Sequence, residues 1–145
     1  MGGILDQRFQ FNGQEAIDEL GSSVAAAGDV DGDGFADVIV GAPLANPGLH
    51  ADAGSAFVFS GASGKRLLRL DGLLSGDALG SSVAGAGDVD GDGFADLIVG
   101  APLADPNGNA DSGSAFVFSG ATGSLIWRFD GQGFHDELGF SVGGA

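Results

Sequence analysis

An internal repeat with an offset of 59 residues constrains the fold of this chain more than any other feature. Residues 28–86 align with residues 87–145 without a gap, and 40 of the 59 positions are identical. Residues 1–27 align with the end of each copy and form a third, partial unit. We therefore divide the chain into a partial repeat over 1–27 and complete repeats over 28–86 and 87–145. Because one unit cannot bury its apolar surface alone, the units are expected to stack as an array.

Each unit contains four short segments with the character of β-strands and no convincing helix. The first segment is mostly Gly, Ala and Ser, and the second and third are continuously apolar, as expected for strands covered on both faces. The fourth alternates and carries an arginine, Arg69 or its counterpart Arg128. Gly and Pro separate the segments, in a chain with 29 glycines. The first set of segments is residues 21–27, 36–40, 55–60 and 67–70.

Four antiparallel strands in a unit of this length are typical of one blade of a β-propeller. The small first strand suits the crowded position nearest a propeller axis, and the charged fourth strand suits an outer edge. We therefore predict an all-β fold of propeller blades, in which residues 1–27 supply a fourth strand and the first strand of the next blade. A β-solenoid is the competing repeat architecture, but its coils are usually shorter, and its strands do not change from small to apolar to charged across the unit.

An aspartate-rich loop follows each of the first strands, so the chain contains two copies of this loop, at 29–37 and 88–96. The aspartates fall at loop positions 1, 3, 5 and 9, with glycine at position 6 to allow the tight curl. Hard cations prefer oxygen ligands, and four carboxylates so close together would repel one another without a cation. We predict two Ca²⁺ ions per chain, with position 9 as a bidentate ligand and the carbonyl of position 7 completing the shell. The predicted ligands are Asp29, Asp31, Asp33, Phe35 and Asp37 in one loop, and Asp88, Asp90, Asp92, Phe94 and Asp96 in the other.

Two other interpretations of these loops are weaker. A polar hairpin turn rich in Asp and Gly is common in its own right, but it does not require aspartate at four alternating positions twice over. An EF-hand loop begins in the same way, yet it needs an acidic residue at position 12 and a following helix. Position 12 is Val40 in one copy and Val99 in the other, inside a predicted strand.

The aspartate loop and the strands around it resemble the FG-GAP repeat of the integrin α-subunit propeller. The resemblance is carried by the aspartate loop, the following Val-Ile-Val-Gly-Ala-Pro at 38–43, and Gly-Ser-Ala-Phe-Val-Phe at 54–59, each with its copy 59 residues on. It covers essentially the whole chain and implies Ca²⁺ binding, a binding or adhesion role and an extracellular or cell-surface location. The family's Phe-Gly is replaced by Leu-Gly at Leu20, Leu79 and Leu138.

The number of units also departs from the family, which builds seven blades where this chain has about two and a half. A short array leaves apolar faces open at each end, so we expect the incomplete propeller to be completed by oligomerisation. The chain starts and stops at corresponding points of the unit. We therefore expect terminal strands to be exchanged between copies, giving either closed rings or open chains.

Charge and composition exclude several functional classes. The net charge of −15 argues against binding to nucleic acids or anionic membranes, and no apolar run is long enough to span a bilayer. No nucleophile with an adjacent base is evident, so we expect a protein without enzymatic activity. Residues 1–12 lack the basic start and apolar run of a signal peptide, so the resemblance alone suggests the location.

The sequence thus predicts a calcium-binding, self-assembling propeller scaffold, with two alternatives. One is an integrin-like adhesion module that binds a protein or glycan through variable loops at 44–54, 73–78 and 103–113. The other is an engineered or excised propeller fragment with no natural ligand, which the close match between copies and the mid-unit ends favour. Trp127 stands at the position of Leu68 and Phe9, which predicts a packing role for it.

Overall fold

A computed structural model describes residues 8–15 and 17–144 as two four-stranded antiparallel sheets. We call the sheet of β1–β4 blade 1 and the sheet of β5–β8 blade 2. In each sheet the strands lie side by side in chain order, which confirms the predicted all-β arrangement of propeller blades. Blade 1 contains β1 (Ser23–Gly28), β2 (Asp37–Ala42), β3 (Ser55–Phe59) and β4 (Arg66–Asp71), and blade 2 contains β5 (Ser82–Gly87), β6 (Asp96–Ala101), β7 (Ser114–Phe118) and β8 (Leu125–Asp130).

The observed strands differ from the predicted segments mainly at their ends. The second strand was expected to stop before Gly41, but Gly41 and Ala42 continue the pairing with β3. The strand ends before Pro43, which has no N–H to donate to a ladder. A 3-10 turn at Pro106–Gly108 lies in the loop after β6, and residues 17–20 form turns rather than a helix. Among the described residues no helix has the length and apolar character needed to cross a membrane.

The two blades pack face to face, and their shared core lies between them. The small first strand of blade 1 lies against the small first strand of blade 2, as expected for the crowded inner edge. Apolar side chains from the strands of both blades meet in one cluster and are almost fully buried. Burial of this kind is the main favourable contribution to folding. The cluster includes Ile39, Val58 and Leu70 from blade 1, and Val83, Leu97 and Val99 from blade 2.

The Leu-Gly landmark of each repeat is the point at which one blade is joined to the next. Leu79 lies beside Gly54 as an isolated parallel bridge, and its side chain is buried. The next residue, Gly80, accepts a hydrogen bond of 2.8 Å from Ser23 Oγ of blade 1 and donates one of 2.9 Å to Gly100 O of blade 2. The backbone of Gly80 approaches Gly41 so closely that no side chain fits there.

Residues 8–13 lie over the outer part of blade 1 without forming a strand. Phe11 stacks on Phe59 with ring centroids 3.9 Å apart, and Phe9 contacts Gly64. The segment aligns in sequence with β4, but among the described residues no strand pairs with it. In the described part of the chain the arrangement is open: two four-stranded blades, with residues 8–13 on the outer side of the first.

Candidate metal centre

The first aspartate of each loop fixes the path of the loop backbone. Asp29 Oδ1 accepts hydrogen bonds from the amides of Gly32 and Asp33 at 2.8 and 3.0 Å, and Asp29 Oδ2 accepts one from Gly34 at 2.9 Å. Asp88 makes the same three bonds in the second loop. Aspartate stabilises tight turns in this way because its short side chain reaches amides a few residues on. Gly34 adopts φ +88°, which a residue with a side chain rarely does.

The next two aspartates continue the pattern and bring their carboxylates toward the first. Asp31 Oδ1 accepts a hydrogen bond of 3.1 Å from the Asp33 amide, and Asp33 Oδ1 accepts one of 2.9 Å from the Phe35 amide. One oxygen from each of Asp29, Asp31 and Asp33 lies within 4.8 Å of the others. In the second loop the corresponding group of three is Asp88, Asp90 and Asp96.

The aspartate at position 9 of each loop is different, because it is almost completely buried. Asp37 is 1% exposed; its Oδ2 accepts a hydrogen bond of 2.7 Å from the Val30 amide, and its Oδ1 accepts one of 2.9 Å from the Gly61 amide. Asp96 makes the equivalent bonds to Val89 and Gly120. This carboxylate therefore ties the start of the loop to the turn between the third and fourth strands. Each carboxylate oxygen retains a second acceptor position, so bidentate coordination of a cation stays a prediction.

The electrostatics of the loop favour a cation. Desolvation within the loop raises the pKa of Asp31, and the negative charges of Asp37, Asp33 and Asp29 raise it further. The pKa of Asp90 is raised for the same reasons in the second loop. A raised pKa means that the ionised carboxylate is disfavoured by its surroundings, and a bound divalent cation would reverse this effect. The converging donors are carboxylate oxygens, which suit a hard cation such as Ca²⁺ rather than a softer metal.

The two loops contact each other, which their identical sequences do not reveal. The Ala95 amide of the second loop donates a hydrogen bond of 3.0 Å to the Asp29 carbonyl of the first. The ring of Phe94 packs against Gly32 of the first loop and is partly buried. Its counterpart Phe35 is 62% exposed, because no blade precedes it in the described residues. The main-chain carbonyl of Phe94 is a predicted ligand, and the side chain of the same residue contacts the neighbouring blade.

A second polar cluster, built on the arginine of the fourth strand, holds the outer edge of each blade. Asp71 Oδ1 accepts hydrogen bonds from Ser55 Oγ at 2.6 Å and Arg69 Nε at 2.7 Å. The guanidinium of Arg69 also lies over the ring of Phe57, 5.5 Å from its centroid. The same cluster recurs as Ser114, Arg128 and Asp130 in blade 2. Its sequence signal is the Arg-x-Asp pattern that ends each fourth strand.

The variable loops meet at the rim opposite the aspartate loops. The connection from β4 to β5 is held to the loop before β3 by main-chain bonds such as Ala78 N to Asp52 O at 3.1 Å. Between this connection and blade 2 lies a largely apolar cavity of about 410 Å³. Leu73 and Leu74 line it on one side and are exposed to solvent. Asp77 and Asp105 add negative charge at its edge.

Comparison with known proteins agrees with this geometry. The family model described as FG-GAP repeat matches residues 20–59 and 79–118, which together make up more than half of the chain. The chain is 39% identical to "Integrin alpha-PS5" of Drosophila melanogaster over 129 residues, which cover 86% of this chain and 12% of that protein. It is 33% identical to "Integrin alpha-5" of Xenopus laevis over 130 residues, 83% of this chain. It is 31% identical to "Integrin alpha-3" of Mus musculus over 140 residues, 94% of this chain. In each case the matched region is 12% of the relative's length.

Proposed function

Because this chain belongs to the FG-GAP repeat family, we propose that it is a non-enzymatic scaffold module whose propeller blades bind Ca²⁺, one ion in each aspartate loop. The observation that carries the proposal is the convergence of three carboxylates in both loops, with oxygens within 4.8 Å of one another. The residues that would hold the ion are those predicted from the sequence. The integrin alpha relatives support an extracellular or cell-surface location.

The proposed role of the ion is to stabilise the fold. A cation bound only by the folded state adds RT ln(1 + [L]/Kd) to the free energy of unfolding, which is about 2.7 kcal/mol per site at a hundredfold excess over Kd. Extracellular calcium modules bind with Kd on the order of 10⁻⁴–10⁻³ M, so millimolar calcium is the concentration range to test. The ion would fix the hairpin between the first and second strands, and with it the contact between consecutive loops.

Thermal unfolding with and without calcium tests this proposal. We expect the melting temperature to fall when EDTA replaces millimolar CaCl₂, and Asp33→Ala combined with Asp92→Ala to abolish the difference. A matched control, Glu15→Ala combined with Glu137→Ala, removes two exposed acids outside the loops and should leave the calcium response intact. A melting temperature that is the same in EDTA and in CaCl₂ would contradict the proposal.

We also propose that copies of this chain self-assemble through exchange of their terminal strands. Support comes from the faces that the two blades leave open. Trp127 and Phe129 are 51% and 50% exposed on the outer strand of blade 2, and Val24 is 64% exposed on the inner strand of blade 1. Large apolar side chains so exposed, and close together on strands, are typical of surfaces that bind a partner.

A second candidate function is ligand binding at the rim formed by the variable loops. The observation that favours it is the exposure of large apolar side chains there: Leu49 is fully exposed, and Leu73 and Leu74 line the cavity beside blade 2. A protein or glycan ligand identified by a binding array should lose affinity when Leu73 and Leu74 are both replaced by Ser. The same variant should retain the calcium-dependent melting temperature, which separates ligand binding from the scaffold role.

A further inference from the structure

The contact between blade 1 and blade 2 is a template for the docking of a second copy. The residues on the blade 2 side of this contact recur on the outward face of blade 1, and those on the blade 1 side recur on the outward face of blade 2. In the junction between the blades, Leu68 of β4 packs against Gly123 of blade 2, with Cδ2 3.4 Å from the position of a Gly123 Cβ. Leu70, two residues on, is buried in the shared core together with the partly buried Phe118. The outer strand of one blade thus covers the turn and third strand of the next.

Residues 8–13 hold the same place on the other side of blade 1. Phe9 contacts Gly64, the counterpart of Gly123, and Phe11 stacks on Phe59, the counterpart of Phe118. This segment therefore covers the surface of blade 1 that the outer strand of a preceding blade would cover. We refer to residues 8–13 as the cap.

The inner part of the same face of blade 1 is open. Val24 is 64% exposed, whereas its counterpart Val83 is 6% exposed because blade 1 covers it. Likewise, Phe35 is exposed, whereas its counterpart Phe94 is partly buried. The cap thus covers only the outer half of a face that a whole blade would cover.

Blade 2 presents the matching surface on its far side. Trp127 and Phe129 align with Leu68 and Leu70 of blade 1 and with Phe9 and Phe11 of the cap. Unlike the leucines, both are half exposed, and the strand that carries them is fixed in blade 2 by its ladder with β7. By this alignment, Trp127 of another copy would take the place of Phe9 on Gly64, and Phe129 would take the place of Phe11 on Phe59.

We propose that blade 2 of one copy docks on blade 1 of a second copy, head to tail, and that the cap of the second copy must leave for this to happen. The inference rests on the proposed self-assembly and specifies its surface and its competitor. The incoming blade brings its aspartate loop as well as its outer strand, so it also covers Phe35, which the cap leaves exposed. Residues 139–144 of the incoming copy lie against its own inner strand, where Gly144 contacts Gly85, so these residues must be displaced by β1 of the second copy for Val24 to be covered as well. Burying this additional apolar surface favours the incoming blade over the cap. Such a contact is heterologous and gives rings or open chains according to the rotation between copies.

Sedimentation velocity in CaCl₂ over a range of protein concentrations tests the proposal. Phe9→Ala combined with Phe11→Ala should strengthen association roughly tenfold, because two aromatic contacts that compete with docking are lost. Trp127→Glu combined with Phe129→Glu should abolish association. Trp127→Leu combined with Phe129→Leu restores the residues of β4 and should associate as the original chain does. Unchanged circular dichroism and calcium-dependent melting would establish that each variant is folded.

The outcomes separate this inference from the proposed self-assembly. If the original chain associates and the glutamate variant associates equally well, the docking surface is wrong while self-assembly stands. If the glutamate variant is monomeric but the alanine variant associates no better than the original chain, the competition by the cap is wrong. If none of the four proteins associates at any concentration, self-assembly itself fails together with the inference.

Discussion

Phe35 and Phe94 provide a test of the blade-to-blade contact, because they are the same residue in two identical loops with different surroundings. Phe94 packs on Gly32 of the preceding blade and is partly buried, whereas Phe35 is 62% exposed. Replacing each by Ala removes the same atoms from the same local sequence. Any difference in stability therefore reports the contact made with the neighbouring blade and not the loop itself.

The expected magnitude follows from the buried area. Complete burial of a phenylalanine side chain stabilises a fold by about 1.5–3 kcal/mol, and Phe94 is buried over most of its surface. We expect Phe94→Ala to lower the free energy of unfolding by about 2 kcal/mol and Phe35→Ala by less than about 1 kcal/mol. For a chain of this size, 1 kcal/mol corresponds to a change in melting temperature of roughly 2–4 °C, so the two variants should differ by several degrees.

Urea unfolding followed by circular dichroism at micromolar protein in CaCl₂ provides the measurement. The two variants should differ in midpoint with similar slopes, since they unfold the same chain. Repeating the measurement at higher protein concentration should increase the cost of Phe35→Ala, because docking of a second copy would bury Phe35 as blade 1 buries Phe94. Equal destabilisation by the two substitutions at every concentration would refute both the packing of Phe94 and its use as a template for assembly.

Two further predictions concern the buried core and the polar cluster at the outer edge of blade 2. Ile39→Ala should lower the free energy of unfolding by about 2–5 kcal/mol, because Ile39 is fully buried between the blades; Ile98→Ala, at a partly exposed counterpart, should cost clearly less in the same urea titration. Burial raises the pKa of Asp130, but hydrogen bonds from Ser114 and Arg128 and the charge of Arg128 lower it to below its ordinary value overall. The stability that this carboxylate contributes is therefore present above about pH 3.9 and lost as the pH falls through its lower folded-state pKa. Arg128→Met should raise that pKa in an NMR titration and shift acid unfolding to higher pH; an unchanged pKa would show that the ion pair is not formed in solution.

Much of the fold follows from the sequence because local pattern and tertiary environment agree in this chain. The strand order, the hairpin at each aspartate loop and the small inner strand are all consequences of residues that recur every 59 positions. The extension of β2 through Gly41 and Ala42 is less evident, since Gly is usually a breaker. It continues because Gly80, in the connection to blade 2, lies against Gly41, a contact between distant residues that no local pattern specifies.

The geometry of the aspartate loops is less predictable from the sequence than the fold is. Spacing alone groups the four aspartates of a loop as equivalent ligands, but Asp37 and Asp96 are buried and bound by two amides each, while Asp31 and Asp90 are exposed. The difference arises because position 9 begins a strand, so its side chain points into the blade. The difference in burial between Phe35 and Phe94 cannot be predicted from local sequence, because the residues around them are identical and only their place in the array differs.

The aspartate loops and the docking faces belong to the same junction, which links cation binding to assembly. The Ala95 amide of one loop donates to the Asp29 carbonyl of the loop before it, and Asp29 is also a predicted ligand. In a head-to-tail contact the equivalent bond would join the Ala36 amide of one copy to the Asp88 carbonyl of another. A cation that orders the Asp88 loop would therefore favour docking, and docking would raise the affinity for the cation by the same factor. We expect weaker association in EDTA than in CaCl₂ at a temperature where the chain is folded in both. The apparent calcium affinity should also rise with protein concentration in titration calorimetry, and identical sedimentation in the two buffers would show that the loops bind their ions without sensing the neighbouring copy.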